Sequence, residues 1–279
     1  MNWTYLNDIY IPKEEVRISP FDRGFLFGDG VYEVIPVYES KAFLLEDHIS
    51  RLERSLKQTG INKPKLWNDI PQIIDELIKK NVFPNQVVYL QVTRGEDVVR
   101  SHIPDPSISP TLFLSSWELS INPYRLNPDK LGLDVKILED PRWERCDVKA
   151  TTLLSNVIAL REANIEGRDG VIFCIKGKVT EGAASNIFAV FGNSVLTTPE
   201  SNQILSGITR KYVLSLLGSK GIETLEKDLT VENLYEADEV WMTSSTQEIQ
   251  PVRKIDDKEL SAKSPKDSLW FDLLSSYVT

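Results

Sequence analysis

Thr180–Phe188, TEGAASNIF, sets one carboxylate at the head of a run of small side chains and closes on an asparagine in front of a strand. Gly182, Ala183, Ala184 and Ser185 carry little bulk, so a flat ligand can approach the backbone closely beside Glu181. By itself the string reads more readily as a solvated hairpin turn. Its surroundings are β-rich: Val171–Ile175, Ile187–Phe191 and Ser194–Thr198 are β-branched and aromatic and read as short strands.

Moving outward, ILSGITRKYV from Ile204 puts Gly207 ahead of a helix predicted over Ile208–Leu217, with Ile208 and Thr209 in its first turn. Unpaired backbone N–H groups and the helix dipole make such an end suited to an anion. MTSSTQEI from Met242 follows a predicted strand, Glu239–Thr243, with hydroxyls from Thr243 to Thr246, among them Ser244 and Ser245. Upstream, RWERCDVKATTLLSNVIAL from Arg142 sets Lys149 between a strand-like segment and a helix predicted over Thr151–Ile165. DHISRL from Asp47 brings His48 and Arg51 to one face of a helix predicted over Glu46–Thr59, which Gly60 stops.

The remaining pattern is mixed. Tyr5–Ile11, Val31–Tyr38, Gln86–Thr93, Thr111–Trp117 and Leu131–Leu138 read as strands, with Pro36 marking an edge, a bulge or a strand end. Leu66–Lys80 reads as a helix with Ile70, Ile73, Ile74, Leu77 and Ile78 on one face, and Ser264–Tyr277 as a terminal helix. Ser115–Lys130 loses periodicity and carries two prolines, which makes it the linker candidate. The predicted class is α+β or mixed α/β in two parts: a domain over 1–118, a linker at 119–125 and a second domain over 126–279.

The 279 residues are 41% hydrophobic and 26% charged, ordinary globular composition with material for a core. A net charge of −9 argues against nonspecific nucleic-acid or anionic-membrane binding. No apolar run approaches the ~20 residues of a membrane span, and no signal peptide is visible. Cys146 and Cys174 are far apart, so free buried thiols and a cytoplasmic protein are expected. With only two histidines and no clustered cysteines, no metal site is expected.

Taken in order, E181-x-A-x-x-N186-I-F188, Leu196-x-Thr198 and L205-x-G207-I-x-R210 resemble the signature of the class IV pyridoxal-phosphate aminotransferases. FGDGVYEV, DHISRL, RCDVKATTLLSN and TSSTQEI extend the resemblance from about Leu6 to about Ile255. It implies fold type IV: a small N-terminal α/β domain and a larger C-terminal pseudo-barrel β domain with helices. It implies pyridoxal 5'-phosphate as cofactor, held by Lys149 as a Schiff base, with the freed amine later moving a proton at the substrate. It implies Glu181 at the pyridine nitrogen and Leu205 against the ring face. Arg51, the N–H of Ile208, the hydroxyl and N–H of Thr209, and Ser244 or Ser245 match phosphate ligands. Ala183-Ala184 departs from the family, which often has Ser or Gly there.

Within the family, R100-x-H102 in VTRGEDVVRSHIP and Tyr32 in GDGVYEV look like the carboxylate trap of D-amino-acid transaminases. Guanidinium, imidazole and phenol offer three donors to one carboxylate, and a substrate without it leaves them unpaired. The resemblance implies a homodimer in which Arg100 and His102 reach the partner's site, and ping-pong exchange between D-amino acids such as D-alanine or D-glutamate and 2-oxo acids. A branched-chain L-transaminase, aminodeoxychorismate lyase and a non-catalytic cofactor-binding protein remain alternatives. Lys149 and Glu181 together weigh against the last, since storage needs no carboxylate at the ring nitrogen.

Overall fold

In the computed structural model, which describes residues 2–260 and 264–277, the chain forms two compact units. The first contains residues 1–120 and 148–153; the second contains 121–147 and 154–279. The segment carrying Lys149 is therefore counted with the first unit, although the chain on both sides of it belongs to the second.

The first unit is a six-stranded antiparallel sheet in the order β2-β1-β6-β5-β3-β4. Its strands are β1 (Trp3–Leu6), β2 (Ile9–Pro12), β3 (Gly30–Tyr38), β4 (Lys41–Ala42), β5 (Gln86–Thr93) and β6 (Thr111–Glu118). The strand expected over Tyr5–Ile11 is in fact the hairpin of β1 and β2, because Asn7 adopts a left-handed φ of 55° and turns the chain. Pro36 is tolerated because β3 pairs fully with β5, while β4 covers only Val37 and Tyr38 on its other edge.

Helices α2 (Leu45–Thr59) and α3 (Ile70–Lys80) contribute to the core of this unit. Gly60 closes α2 with a φ of 64°, and a 3-10 turn over Trp67–Asp69 replaces the first turn of the helix expected from Leu66. The core joins Leu52 and Leu56 of α2, the Ile70, Ile73, Ile74, Leu77 and Ile78 stripe of α3, and Val31, Ile35 and Val37 of β3. Each such fully buried aliphatic side chain contributes ~1.5–3 kcal/mol. Val148 and Ala150 join the same core, which fixes the register of the lysine segment.

The second unit is built on a nine-stranded sheet in the order β12-β11-β10-β13-β14-β7-β8-β9, with β15 pairing β14. The strands are β7 (Leu133–Glu139), β8 (Gly170–Ile175), β9 (Lys178–Gly182), β10 (Asn186–Phe191), β11 (Ser194–Thr197), β12 (Glu223–Glu226), β13 (Glu239–Ser244), β14 (Glu248–Ile255) and β15 (Lys258–Glu259). The sheet curls until β9 returns to β10 and β11: Gly182 N donates to Ser185 O at 2.7 Å, and Thr198 Oγ1 donates to Val179 O at 3.0 Å. This is the expected pseudo-barrel. Helices α5 (Leu154–Ile165), α6 (Ile208–Ser219), α7 (Val231–Glu236) and α8 (Leu269–Ser275) accompany it.

Two expectations are corrected here. Ser115–Glu118 belongs to β6, and the rest of the supposed loose stretch contains helix α4 (Pro123–Leu126), capped by a buried Asn122. The Asn122 amide donates to Gln247 O and Ile249 O, so this segment is anchored. The helix expected from Thr151 begins at Leu154, because Thr151 pairs back to the first unit: its N–H donates to Gly30 O at 3.0 Å.

Candidate active site

In the first unit, the lysine segment is stitched to β3. Tyr32 N donates to Lys149 O at 3.0 Å, Val31 bridges Ala150, and Lys149 N donates to Ser55 Oγ of α2 at 3.4 Å. Buried Val148 and Ala150 flank a half-buried Lys149, whose Nζ stands 4.2 Å from the Tyr32 ring centroid. The structure thus brings together two residues that the sequence separates by over a hundred positions.

Arg51 of α2 is buried and pairs with Glu33 of β3: Nε donates to Oε1 at 2.8 Å and Nη2 to Oε2 at 2.7 Å. His48 Nδ1 lies 2.7 Å from the same Oε2. Glu33 points into the core with Val31, Ile35 and Val37, where a lone carboxylate could not stay charged. Burial raises its pKa, but the Arg51 guanidinium and the His48 hydrogen bond outweigh burial and hold the carboxyl at about 2. An ionised Glu33 has no proton to give, so His48 donates from Nδ1 and keeps a lone pair on Nε2. Burial pushes the His48 pKa down against the pull of Glu33, and its buried Nε2 has no hydrogen-bond partner.

Arg100 and His102 are exposed on the connection between β5 and β6. Both meet Phe27: the Arg100 guanidinium lies 4.7 Å from its ring centroid, and the His102 ring 5.5 Å. No hydrogen bond or ring contact joins either to Tyr32 among the described residues; Tyr32 instead lies against Tyr89 at 5.6 Å.

The second unit gathers the other site residues. Glu181 ends up buried at the end of β9. Its Oε1 accepts from Arg142 Nη1 at 2.6 Å; Oε2 accepts from Leu205 N at 3.0 Å and from Asn186 Nδ2 at 3.2 Å. Arg142 is held in turn by Asp140, through Nε at 2.9 Å and Nη2 at 2.7 Å. Burial works against the charge on Arg142, but Asp140 and Glu181 together push its pKa well above the usual arginine range. Burial likewise acts to raise the Asp140 pKa, and its bonds to Arg142 reverse this. Cys146 is a buried thiol, pushed up to about 11 chiefly by burial, and it donates to Trp143 O. It is therefore uncharged near neutrality and has no chemical task here.

Helix α6 begins at Ile208 behind Gly207, and no side chain caps it. A Cβ on Gly207 would lie 2.0 Å from Asn186 Oδ1, so only glycine fits. Asn186 also donates to Leu205 O at 3.0 Å, which ties the turn before α6 to the carboxylate of β9. Thr209 is buried in the first turn of α6. At the end of β13 the Thr243 hydroxyl is buried without a partner, and Ser244 and Ser245 are half-buried beside it in sequence. An uncapped helix start and a run of hydroxyls suit a phosphate, and a carboxylate held by an arginine suits a protonated ring nitrogen. The residues present fit pyridoxal phosphate.

Three contributors escaped the sequence reading. Glu33 carried a signal: it shares the two-residue period of the buried side of β3. Arg142 carried none, because its partner Glu181 is distant in sequence. Leu205 was expected only to pack on a ring, yet its backbone N–H holds Glu181.

Comparison with known proteins agrees with this geometry. Residues 30–255 match the family model of the class IV amino-transferases. The D-alanine aminotransferase of Staphylococcus haemolyticus is 35% identical over 265 residues, covering 93% of this chain and 91% of that one. The branched-chain aminotransferase of Thermoproteus uzoniensis, solved with norvaline, superposes with a TM-score of 0.89 at 26% identity, covering 99% and 93%. A hypothetical aminotransferase from Mycobacterium tuberculosis in its PLP-bound form shares the fold, with a TM-score of 0.84 at 21% identity and 98% of each chain covered.

Proposed function

The chain belongs to the class IV aminotransferases, and we propose that it is a pyridoxal-phosphate-dependent transaminase exchanging the amino group between D-amino acids and 2-oxo acids. The observation that carries this reading is the agreement with a D-alanine aminotransferase along nearly the whole chain. Arg100 and His102, displayed one residue apart around one ring, support it.

Bound pyridoxal phosphate supplies an electrophilic carbon and an electron-accepting ring. Lys149 would hold the cofactor through Nζ, and its freed amine would move the proton at the substrate Cα. Glu181 keeps a proton on the ring nitrogen, while Arg142, Asn186 and the Leu205 N–H keep Glu181 oriented. Leu205 packs on the ring face. The N–H groups of Ile208 and Thr209, the hydroxyls of Thr209 and Ser244 or Ser245, and Arg51 bind the phosphate. Tyr32, Arg100 and His102 receive the α-carboxylate, the latter two in the partner subunit of a homodimer. Their exposure in the single chain supports that assignment. So do the apolar side chains that α5 leaves exposed, among them Leu154, Val157 and Ile165. In functional terms the chain divides into a small domain, residues 1–120 together with the lysine strip 148–153, and a cofactor domain formed by 121–147 and 154–279. Two free buried thiols suit a reducing cytoplasm.

The structural likeness to a branched-chain aminotransferase makes that activity the competing reading. Addition of D-alanine and of L-leucine to separate samples of the cofactor-loaded protein separates the two. Loss of the visible cofactor band with D-alanine alone is the expected result; loss with L-leucine alone overturns the D-amino-acid assignment.

A further inference from the structure

The Arg100–His102 loop is an exposed stretch with little packing of its own. Val98 is 95% exposed and Ile103 is 82% exposed, so apolar burial does not hold its tip in one shape. Its root is clamped by Asp22, whose Oδ2 accepts from Thr93 Oγ1 at 2.9 Å and from Thr111 Oγ1 at 2.7 Å. Its tip is gripped by a different residue, Arg23, which is only 3% exposed.

Arg23 starts helix α1 (Arg23–Phe27), and its guanidinium is shared between the two sides of the loop. Nε donates to Asp29 Oδ2 at 2.9 Å. Nη1 donates to Ser101 O at 2.6 Å and to Asp97 Oδ2 at 3.3 Å, and Nη2 donates to His102 O at 3.2 Å. Asp29 is itself fixed by Arg94, through Nε at 2.7 Å and Nη2 at 3.0 Å. One rigid plane thus binds two successive carbonyls, which sets the two peptide groups that flank the His102 Cα. Both cations meet Phe27: its ring centroid lies 4.8 Å from the Arg23 guanidinium and 4.7 Å from that of Arg100. The ring attracts both.

We propose that Arg23 is the positioning residue of the substrate-carboxylate loop: it fixes the backbone at Ser101 and His102 and, through Phe27, the guanidinium of Arg100. This rests on the reading of Arg100 and His102 as the carboxylate trap. Lysine at position 23 would keep the charge but offers no planar fork for two carbonyls and Asp29 together. A purely architectural role for Arg23 would lower the melting temperature and leave substrate affinity alone.

The test compares Arg23→Lys, Arg100→Ala and the double variant in cofactor-loaded enzyme, measuring kcat and KM for D-alanine. In Arg23→Lys, KM is expected to rise about tenfold, by more than kcat falls, with the visible cofactor band retained. The double variant is expected to raise KM by less than the product of the two single effects, because part of the Arg23 effect passes through Arg100 and the rest through His102. If Arg100→Ala raises KM while Arg23→Lys leaves it within about twofold, the Arg23 assignment is overturned and the trap stands. If Arg100→Ala itself leaves KM unmoved, the trap reading fails and takes this inference with it. Arg23→Gln provides the same readout should the lysine variant not fold: a KM rise supports the proposal, and parental KM overturns it.

Discussion

Glu33 and Glu181 are both buried carboxylates facing an arginine, one in each unit, and they use the pairing in opposite senses. Glu33 gives both oxygens to Arg51, side-on, which directs the Nη1 edge of the guanidinium away from the pair. There the acid is the support and the arginine is the proposed ligand. Glu181 gives one oxygen to Arg142, whose other nitrogens are fastened to Asp140, and the second to neutral donors at 3.0 and 3.2 Å. There the arginine is the support and the acid is the proposed partner of the ring. On the proposed reading, the same ion pair serves anion binding in one unit and ring protonation in the other, according to which partner is tied down from behind.

The largest effect belongs to Lys149, outside both pairs, and it sets the scale. Lys149→Ala is expected to lower kcat by about 10⁴-fold or more, read by steady-state transamination, because covalent attachment and proton transfer are lost together. Glu181→Gln comes next, with kcat down ~10²–10³-fold while cofactor stays bound. Glu33→Gln should behave in the reverse manner: the cofactor dissociation constant rises about tenfold, and kcat at saturating cofactor stays within a few-fold. If Glu33→Gln damaged kcat while sparing cofactor affinity, the contrast between the two pairs would be lost.

The smallest effect is on acid stability. The folded pKa of Glu33 is about 2, below its ordinary value of 4.5, so the folded protein binds fewer protons there than the unfolded chain. Its stabilisation is complete above about pH 4.5 and is lost as pH falls towards 2. Melting curves should therefore decline less steeply over that window in Glu33→Gln than in the parent. Equal slopes would show that the carboxylate is not held ionised.

Much of this site was legible because its parts sit in short strings, each weak alone, whose order along the chain resembles one family. Glu181 beside small residues, Gly207 before a helix and Lys149 before Thr151 stood out through that order and not through local context alone. The supports were not legible for a consistent reason. Arg142 and Glu181 meet because β7, β8 and β9 lie side by side in the sheet, and no periodicity encodes that pairing. Asn186 was noted as the end of a motif, yet its task, bonding both Glu181 and Leu205 O, depends on a turn that tertiary structure supplies. In the fold, β9 escaped detection because Val179, Thr180, Glu181 and Gly182 are all buried, so no inside-outside alternation marks a strand. The β1–β2 turn escaped because Asn7-Asp8 lies inside an otherwise continuous aromatic and β-branched run.

The lysine segment has a consequence for how the protein is made. The first unit takes its last piece, residues 148–153, from beyond a long excursion of the chain through the second. A ribosome that has released residue 120 has emitted every other part of that unit but not the strip that pairs with β3 and carries the nucleophile. Cutting the gene at the apparent boundary would yield a fragment with an open edge at Val31 and Tyr32, so the two halves cannot be separated by a single scission and both remain whole.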